Sequence, residues 1–142
     1  MADLLDVNVW VALSIPEHPH YKAASRYWTV KSSSSLVFCR TTALGLVRVC
    51  SQPNTLGGMP MSVKDAWQVY KQWREHAGIN LAPEPAGIDS CLNKWVDDGV
   101  VIHRSWTDAY LAAFAVTASH RLVTFDKGFG RFPELELLCL EG

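Results

Sequence analysis

The sequence lacks an excess of positive charge. Its 13 lysine and arginine residues are balanced by 14 aspartate and glutamate residues, which gives a formal net charge of −1 at pH 7. A protein that held nucleic acid through its overall charge would instead be basic. Any nucleic-acid partner must therefore be bound by a local basic patch or through a metal ion.

Paired cysteines and long apolar segments are also missing. The four cysteines are widely spaced, with no Cys-x-x-Cys pair and no nearby histidine at zinc-ligand spacing, which predicts reduced thiols in the core. The N-terminus has no basic region followed by an apolar stretch, and no apolar run approaches the ~20 residues of a membrane helix. We therefore expect a soluble cytoplasmic protein that does not contact a membrane.

The apolar content, by contrast, suffices for one packed domain, which we expect to span residues 1–142. Residues 52–61 are predicted to form a loop, and residues 100–102 fit either a strand or the buried end of a loop. Short apolar strands that alternate with helices are typical of an α/β fold with a parallel sheet covered on both faces. The predicted strands lie at about 3–7, 36–39, 79–81, 121–125 and 135–140, and the predicted helices at about 9–14, 18–31, 41–51, 62–77, 88–96 and 105–118.

Polar residues and glycine mark several of the predicted helix ends. Asn8 is a favourable N-cap for the first helix, and Ser62 followed by Asp65 resembles a capping box. Gly78 is predicted to end the helix that begins there. The helix over 105–118 is apolar almost all round, which predicts a buried position in the middle of the fold.

Three aspartates follow the ends of these segments. Asp6 ends the first strand, Asp126 follows the strand over 121–125, and Asp108 lies in the first turn of the buried helix. Because ligands of parallel α/β sheets bind beyond the carboxyl ends of the strands, these side chains are candidates for one site. No Gly-rich phosphate loop, Ser-His-Asp set or cysteine nucleophile signature competes with them.

Each aspartate also has a purely structural explanation. Asp6 would assist Asn8 in capping the first helix, and Asp108 would complete a capping box with Ser105. Asp126 precedes Lys127 and a glycine, as a turn residue does.

Together, however, the three acids favour a metal site. Two carboxylates about 4 Å apart repel each other by roughly 4 kcal/mol at an effective dielectric constant of about 20, so a cluster of three requires a cation. Oxygen ligands without histidine or cysteine suit Mg²⁺ or Mn²⁺. Such an ion also binds phosphate oxygens, which fits hydrolysis of a phosphodiester.

Three segments of the sequence, residues 4–10, 106–113 and 123–129, resemble the three motif blocks of VapC toxins, which are PIN-domain ribonucleases of type II toxin–antitoxin systems. The likeness extends over nearly the whole chain, including the block from Phe38 to Arg48 and the closing residues 132–135. Three blocks in this order and spacing form a specific signal, whereas any one alone would be weak.

The resemblance implies a PIN-like three-layer α/β/α sandwich and a catalytic set of Asp6, Asp108 and Asp126. Asp6 and Asp108 would be the metal ligands, and Asp126 would complete the acidic pocket or act through water. Asn8 would brace the first turn, and the hydroxyls of Thr107 and Thr124 would orient a carboxylate or water; a helix cap and simple packing are the alternatives for these three residues. The resemblance further implies a homodimer, a cognate antitoxin that covers the site, and a structured RNA substrate such as tRNA or rRNA.

The sequence departs from the family pattern at one position. PIN domains usually carry a second acid, most often glutamate, in the helix after the second strand, and Gly45 stands there in this chain. Glu17, Asp65 and Asp89 are conceivable substitutes, but spacing selects none of them. The departure leaves open whether the site holds one ion or two.

Other polar and aromatic residues carry weaker signals. His18 and His20 stand two apart, a spacing that cannot share a helix face, so a solvated helix start is favoured over a metal site. The six tryptophans are expected mainly in the core, with one or two near the acidic edge as alternatives for stacking on bases. The cations expected to flank the site, where they would contact RNA phosphates or simply face solvent, are Arg40, Arg48, Lys127 and Arg131.

Three functions follow as hypotheses. The leading one is a Mg²⁺-dependent endoribonuclease, the toxin of a toxin–antitoxin pair, in which an activated water attacks a backbone phosphate. The second, based on Gly45, is a catalytically weak module that binds RNA or a partner without cutting. The third is a phosphatase-type hydrolase with Asp6 as covalent nucleophile, since Asp6 and Asn8 loosely resemble the start of haloacid-dehalogenase-like enzymes.

Overall fold

Strands and helices alternate along the chain in the computed structural model, which describes residues 1–53 and 61–142. The strands are β1 (Asp3–Leu5), β2 (Leu36–Phe38), β3 (Ile79–Leu81), β4 (Arg121–Thr124) and β5 (Leu137–Cys139). The helices are α1 (Val7–Ser14), α2 (Tyr21–Arg26), α3 (Arg40–Ser51), α4 (Val63–Glu75), α5 (Ile88–Asp97) and α6 (Trp106–Ala118). A π-helical turn (Tyr27–Lys31) continues α2, and a 3₁₀ turn (Lys127–Arg131) follows β4.

These strands form one parallel sheet in the order β3-β2-β1-β4-β5. Alternate residues of β1 face opposite sides, so Leu4 belongs to one apolar cluster and Leu5 to the other. One cluster packs α5 and α6 against the sheet, and the other packs α1, α3 and α4. The prediction of a three-layer α/β/α fold around a parallel sheet is thus confirmed.

The first helix begins two residues earlier than predicted. Asp6, not Asn8, is its N-cap, because the extended backbone of Asp6 lets its carboxylate accept a hydrogen bond from the N–H of Val7 at 2.7 Å. Asn8 lies within the first turn, where its side chain bonds to the end of β4. The capping role predicted for Asn8 is therefore wrong, and its bracing role is confirmed by contact.

Several other boundaries also differ from the predictions. The helix predicted over 18–31 starts at Tyr21 and finishes as the π-helical turn, and the helix that Ser62 caps ends at Glu75, before Gly78. Residues 100–102 form no strand, and the last strand pairs only over 137–139. The predicted loop over 52–61 lies mostly outside the described residues.

Membrane helices are not found in the described ranges: none of these helices is both long enough and apolar enough to cross a bilayer. The four cysteines are all free, with Cys39 and Cys50 buried and the other two half-buried.

Candidate active site

Asp6 sits at the junction of β1 and α1, at the carboxyl edge of the sheet. Its Oδ1 accepts the N–H of Val7, and its Oδ2 accepts the hydroxyl of Thr124 at 2.7 Å. Each carboxylate oxygen has two lone pairs, so both retain capacity for a further ligand. Asp6 therefore caps the helix, as predicted, but without the expected help of Asn8, and its carboxylate can still bind a further ligand.

Thr124 joins the ends of β1 and β4. Its side chain is fully buried. The hydroxyl donates to Asp6, and it accepts the N–H of Asp126 at 3.0 Å and the amide Nδ2 of Asn8 at 3.3 Å. Because a hydroxyl has one donor and two acceptor sites, all three are used. The orienting role expected for Thr124 is thus present in the contacts.

The same role is not found for Thr107. This residue is exposed on α6, and no described residue receives or donates a hydrogen bond at its side chain.

Asp126 is both a turn residue and a member of the acidic edge. Its Oδ1 accepts the N–H of Gly128 at 2.8 Å, which starts the 3₁₀ turn after β4. Its own N–H is fixed by Thr124. Its side chain is exposed at the sheet edge, next to Asp6 across the Thr124 hydroxyl.

Asp108 reaches the same edge from the first turn of α6. The predicted capping box with Ser105 is wrong, because the Ser105 hydroxyl bonds instead to the backbone of Ile102. The carboxylate of Asp108 is 41% exposed and pairs with the guanidinium of Arg131 at 3.6 Å. Arg131 is itself anchored, since it donates to the carbonyl of Gly128 and stacks over the ring of Phe132.

The three carboxylates are close enough to perturb one another. Burial raises the pKa of Asp6 above its usual range, hydrogen bonds from Thr124 and Val7 oppose this shift, and the charges of Asp108 and Asp126 add to it. Burial and then the charge of Asp126 raise the pKa of Asp108, while Arg131 lowers it. The folded chain therefore concentrates negative charge at this edge, and a cation there would be stabilised.

The residues at this edge fit a hydrated divalent ion rather than an enclosed one. Across residues 1–53 and 61–142, no three His, Cys, Asp or Glu side chains are gathered tightly enough to hold an ion by themselves. Mg²⁺ usually keeps several waters and is bound by only one or two carboxylates together with substrate phosphates. Asp6 and Asp108, the less exposed members, satisfy that requirement by chemistry and position.

Gly45 lies where no larger side chain fits without a shift. An added Cβ would stand 2.5 Å from Cγ2 of Val7, the residue that follows Asp6. A side chain at this position would therefore require Val7 or the backbone of α3 to shift. The candidate substitutes Glu17, Asp65 and Asp89 are not among the charges that perturb Asp6.

One prediction about the residues around the site changes with the structure. His18 is half-buried and lines a cavity with Asp6, so the prediction of a solvated helix start is wrong for it; only the tertiary fold, not the spacing, reveals this. Trp106 is 51% exposed at the start of α6, whereas Trp10 stacks on Phe38 in the core as expected.

Three of the basic residues expected around the site are exposed, namely Arg40, Arg48 and Lys127. Their exposure fits both contact with RNA phosphates and an ordinary solvent-facing position.

Comparison with known proteins places these features in a family. The chain matches the PIN domain over residues 4–135. It is 34% identical to ribonuclease VapC41 of Mycobacterium tuberculosis over 143 aligned positions, which cover 96% of this chain and 97% of that protein. It is 35% identical to ribonuclease VapC39 of the same organism, with 89% of each chain covered.

Solved structures share the fold at low sequence identity. VapBC2 from Rickettsia felis, bound to a DNA fragment from its promoter, superposes with a TM-score of 0.70 at 14% identity and covers 99% of this chain and all of that chain. Mycobacterium tuberculosis VapC20, a Sarcin-Ricin loop cleaving toxin, superposes with a TM-score of 0.67 at 14% identity, covering 94% and 98% of the two chains. The resemblance identified from the three sequence blocks is confirmed: this chain belongs to the PIN-domain family and, within it, to the VapC ribonucleases.

Proposed function

We propose that this protein is a divalent-metal-dependent endoribonuclease, with Mg²⁺ or Mn²⁺ as cofactor, whose active site consists of Asp6, Asp108 and Asp126. The observation that carries the proposal is the convergence of these carboxylates at one sheet edge, where burial raises the pKa of Asp6 and Asp108 and the repulsion between neighbouring carboxylates adds to it. Repulsion of this kind costs stability and is relieved when a cation binds. No such arrangement is needed to cap a helix or close a turn.

The chain's own residues divide the chemical work. Asp6 and Asp108 would hold the ion, and Thr124 together with the N–H of Val7 fixes the orientation of Asp6. Asp126, more exposed, would orient the attacking water and accept its proton. When bound, the divalent ion supplies positive charge that stabilises the phosphate oxygens during attack.

Arg131 contributes a second positive charge at the same edge. Its pairing with Asp108 is partly exposed, so the pair is weak and exchangeable. We propose that Asp108 would hold the ion in place of Arg131, whose guanidinium would then contact an RNA phosphate. The hypothesis that Arg131 contacts RNA is therefore retained, with Asp108 as its partner in the unliganded protein.

The site assignment is tested by charge-neutral substitutions with a matched control. Asp6→Asn and Asp108→Asn are each expected to reduce RNA cleavage in Mg²⁺ or Mn²⁺ by at least about 100-fold, because each removes a negatively charged ligand of the ion that would stabilise the reacting phosphate. Asp89→Asn is the control, since Asp89 occupies the first turn of α5 as Asp108 occupies the first turn of α6. Undiminished cleavage by either active-site variant would refute the assignment.

We further propose that the chain acts as one domain, as a homodimeric toxin in the cytoplasm that is inhibited by a cognate antitoxin, with tRNA or rRNA as substrate. The support is the identity to VapC ribonucleases and the fold shared with a VapBC complex and an RNA-cleaving toxin. Co-expression with the protein encoded directly upstream should give a co-purifying complex without nuclease activity. Light scattering should give twice the mass of the 142-residue chain, and a monomer would refute the dimer.

A second candidate, a module that binds RNA without cutting it, is favoured only by Gly45. That position contacts Val7 closely and lacks the additional acid of other PIN domains. Metal-independent RNA binding with no turnover at any Mn²⁺ concentration would support this candidate. The phosphatase alternative with Asp6 as nucleophile gains no support, because the chain matches the PIN domain over nearly its whole length.

A further inference from the structure

A cavity of about 320 Å³ opens directly beside Asp6, between α1, α3 and the loop that precedes α2. It is lined by Asp6, Val7, Asn8, Val11, His18 and Val49. Val7 and Val11 lie one turn apart on α1 and, with Val49 of α3, provide apolar walls. Because Asp6 belongs both to the cavity and to the proposed active site, a group in the cavity would lie next to the reacting phosphate.

The lining favours a flat and mostly apolar group over a phosphate. None of the described residues that line the cavity is a lysine or an arginine. A phosphate placed there would meet the carboxylate of Asp6 with no cation beside it from the lining. A nucleobase, in contrast, presents apolar faces to valine side chains and a polar edge to hydrogen-bonding groups.

His18 supplies a donor of defined orientation. Its Nδ1 accepts a hydrogen bond from the backbone N–H of His20 at 3.0 Å. A ring nitrogen that accepts carries no proton, so the neutral imidazole carries its proton on Nε2. Burial and then the neighbouring His20 lower the pKa of His18, which favours this neutral form.

We propose that this cavity is a nucleobase subsite, in which the base of the nucleotide next to the scissile phosphate packs between the valines and accepts a hydrogen bond from Nε2 of His18. The proposal rests on the ribonuclease function proposed above and extends it to substrate selection. His18 would thus determine specificity: it prefers a base with an acceptor at the matching position and leaves phosphate binding to other groups.

The test measures binding of short RNA in the Asp108→Asn background, where cleavage does not compete. The probes are five-nucleotide single strands of A, C, G or U and an abasic ribose-phosphate strand of equal length, each followed by fluorescence anisotropy in Mg²⁺. At least one base-bearing strand should bind about five- to tenfold more tightly than the abasic strand, which corresponds to one buried hydrogen bond with its packing.

Second-site substitutions locate the preference. His18→Ala should reduce the difference between base-bearing and abasic strands to less than about twofold, while leaving the abasic strand unaffected. His18→Phe keeps a flat ring without a donor and should abolish discrimination among the four bases while retaining part of the affinity. His76→Ala, an exposed histidine at the end of α4 and just before β3, is the matched control and should change nothing.

The subsite proposal would be overturned if all five strands bound equally or if none bound. It would also be overturned if His18→Ala weakened binding of the abasic strand as much as binding of the others. Failure of the nuclease function gives a different result. A wild-type protein that cuts no RNA in Mg²⁺ or Mn²⁺ but binds bases through His18 would refute the nuclease proposal alone. A protein that cuts RNA without any dependence on His18 would refute the subsite alone.

Discussion

Replacing Thr124 with valine should separate the acidic edge from the sheet that supports it. The two side chains have nearly the same shape, so the substitution removes the hydroxyl and leaves the packing of β4 intact. That hydroxyl takes part in three hydrogen bonds: it donates to Asp6 and accepts from the Asn8 amide and from the N–H of Asp126. Because Thr124 is fully buried, no water molecule can occupy the position of the missing hydroxyl.

The expected loss of stability follows from these three bonds. The bond to the Asp6 carboxylate is charge-assisted and contributes about 1.5–3 kcal/mol, and the two longer bonds contribute about 1 kcal/mol each. Water reaches the exposed Asp126 and the half-buried Asn8 and restores part of this, so we expect a net loss of about 3 kcal/mol. For a chain of 142 residues that corresponds to a fall in Tm of roughly 10 °C.

Urea unfolding followed by tryptophan fluorescence measures this loss, since six tryptophans report on the fold. Thr124→Ser keeps the hydroxyl and removes only a buried methyl group, which costs about 1 kcal/mol. Thr107→Val, at an exposed threonine of α6, should change stability by less than about 0.5 kcal/mol. If Thr124→Val unfolds at the same urea concentration as Thr124→Ser, the hydrogen bonds of the hydroxyl do not stabilise the fold.

Three further outcomes are expected. Gly45→Ala should destabilise the fold by roughly 1–3 kcal/mol because its Cβ would meet Val7, and Val7→Ala should restore most of the loss; additive effects in urea unfolding would contradict that contact. In EDTA at neutral pH, Asp108→Asn should be more stable than the wild type. The pKa of Asp108 is raised in the folded state, so its contribution to stability is complete at a pH below its pKa in the unfolded chain and is lost as the pH rises through its pKa in the folded chain. The extra stability of Asp108→Asn over the wild type should therefore vanish in acid, and it should shrink when Mg²⁺ is added. Arg121→Met should cost about 3 kcal/mol, because it leaves the fully buried Asp3 carboxylate without its bidentate cation; a Tm unchanged within 2–3 °C, roughly 1 kcal/mol, would show that Asp3 is otherwise compensated.

Much of the fold follows from local pattern. Most strand residues are apolar and most helices carry one apolar face, so periodicity identifies the elements and their alternation implies a parallel sheet. Asp6, Asp108 and Asp126 were located in the same way, as acids that follow segment ends. The helix boundaries do not follow from the pattern, because a cap depends on which donor a side chain meets. Asp6 accepts the N–H of Val7, while Asn8 bonds to the end of β4.

Contacts between distant segments cannot be predicted from the local sequence pattern. Thr124 and Asp6 are 118 residues apart, and only the pairing of β1 with β4 brings the hydroxyl to the carboxylate. The space available to a side chain at Gly45 likewise depends on how closely α3 packs against α1. His18 has no motif of its own and lines the cavity beside Asp6 only because its loop returns to the carboxyl end of β1.

Local sequence thus specifies which elements form and which chemical groups they carry, since these depend on neighbours a few residues apart. Which groups meet, which are buried and how their charges act on one another follow from the packing of the elements. The physical reason is that hydrogen bonds, desolvation and Coulomb repulsion act over a few ångströms of space, irrespective of separation along the chain.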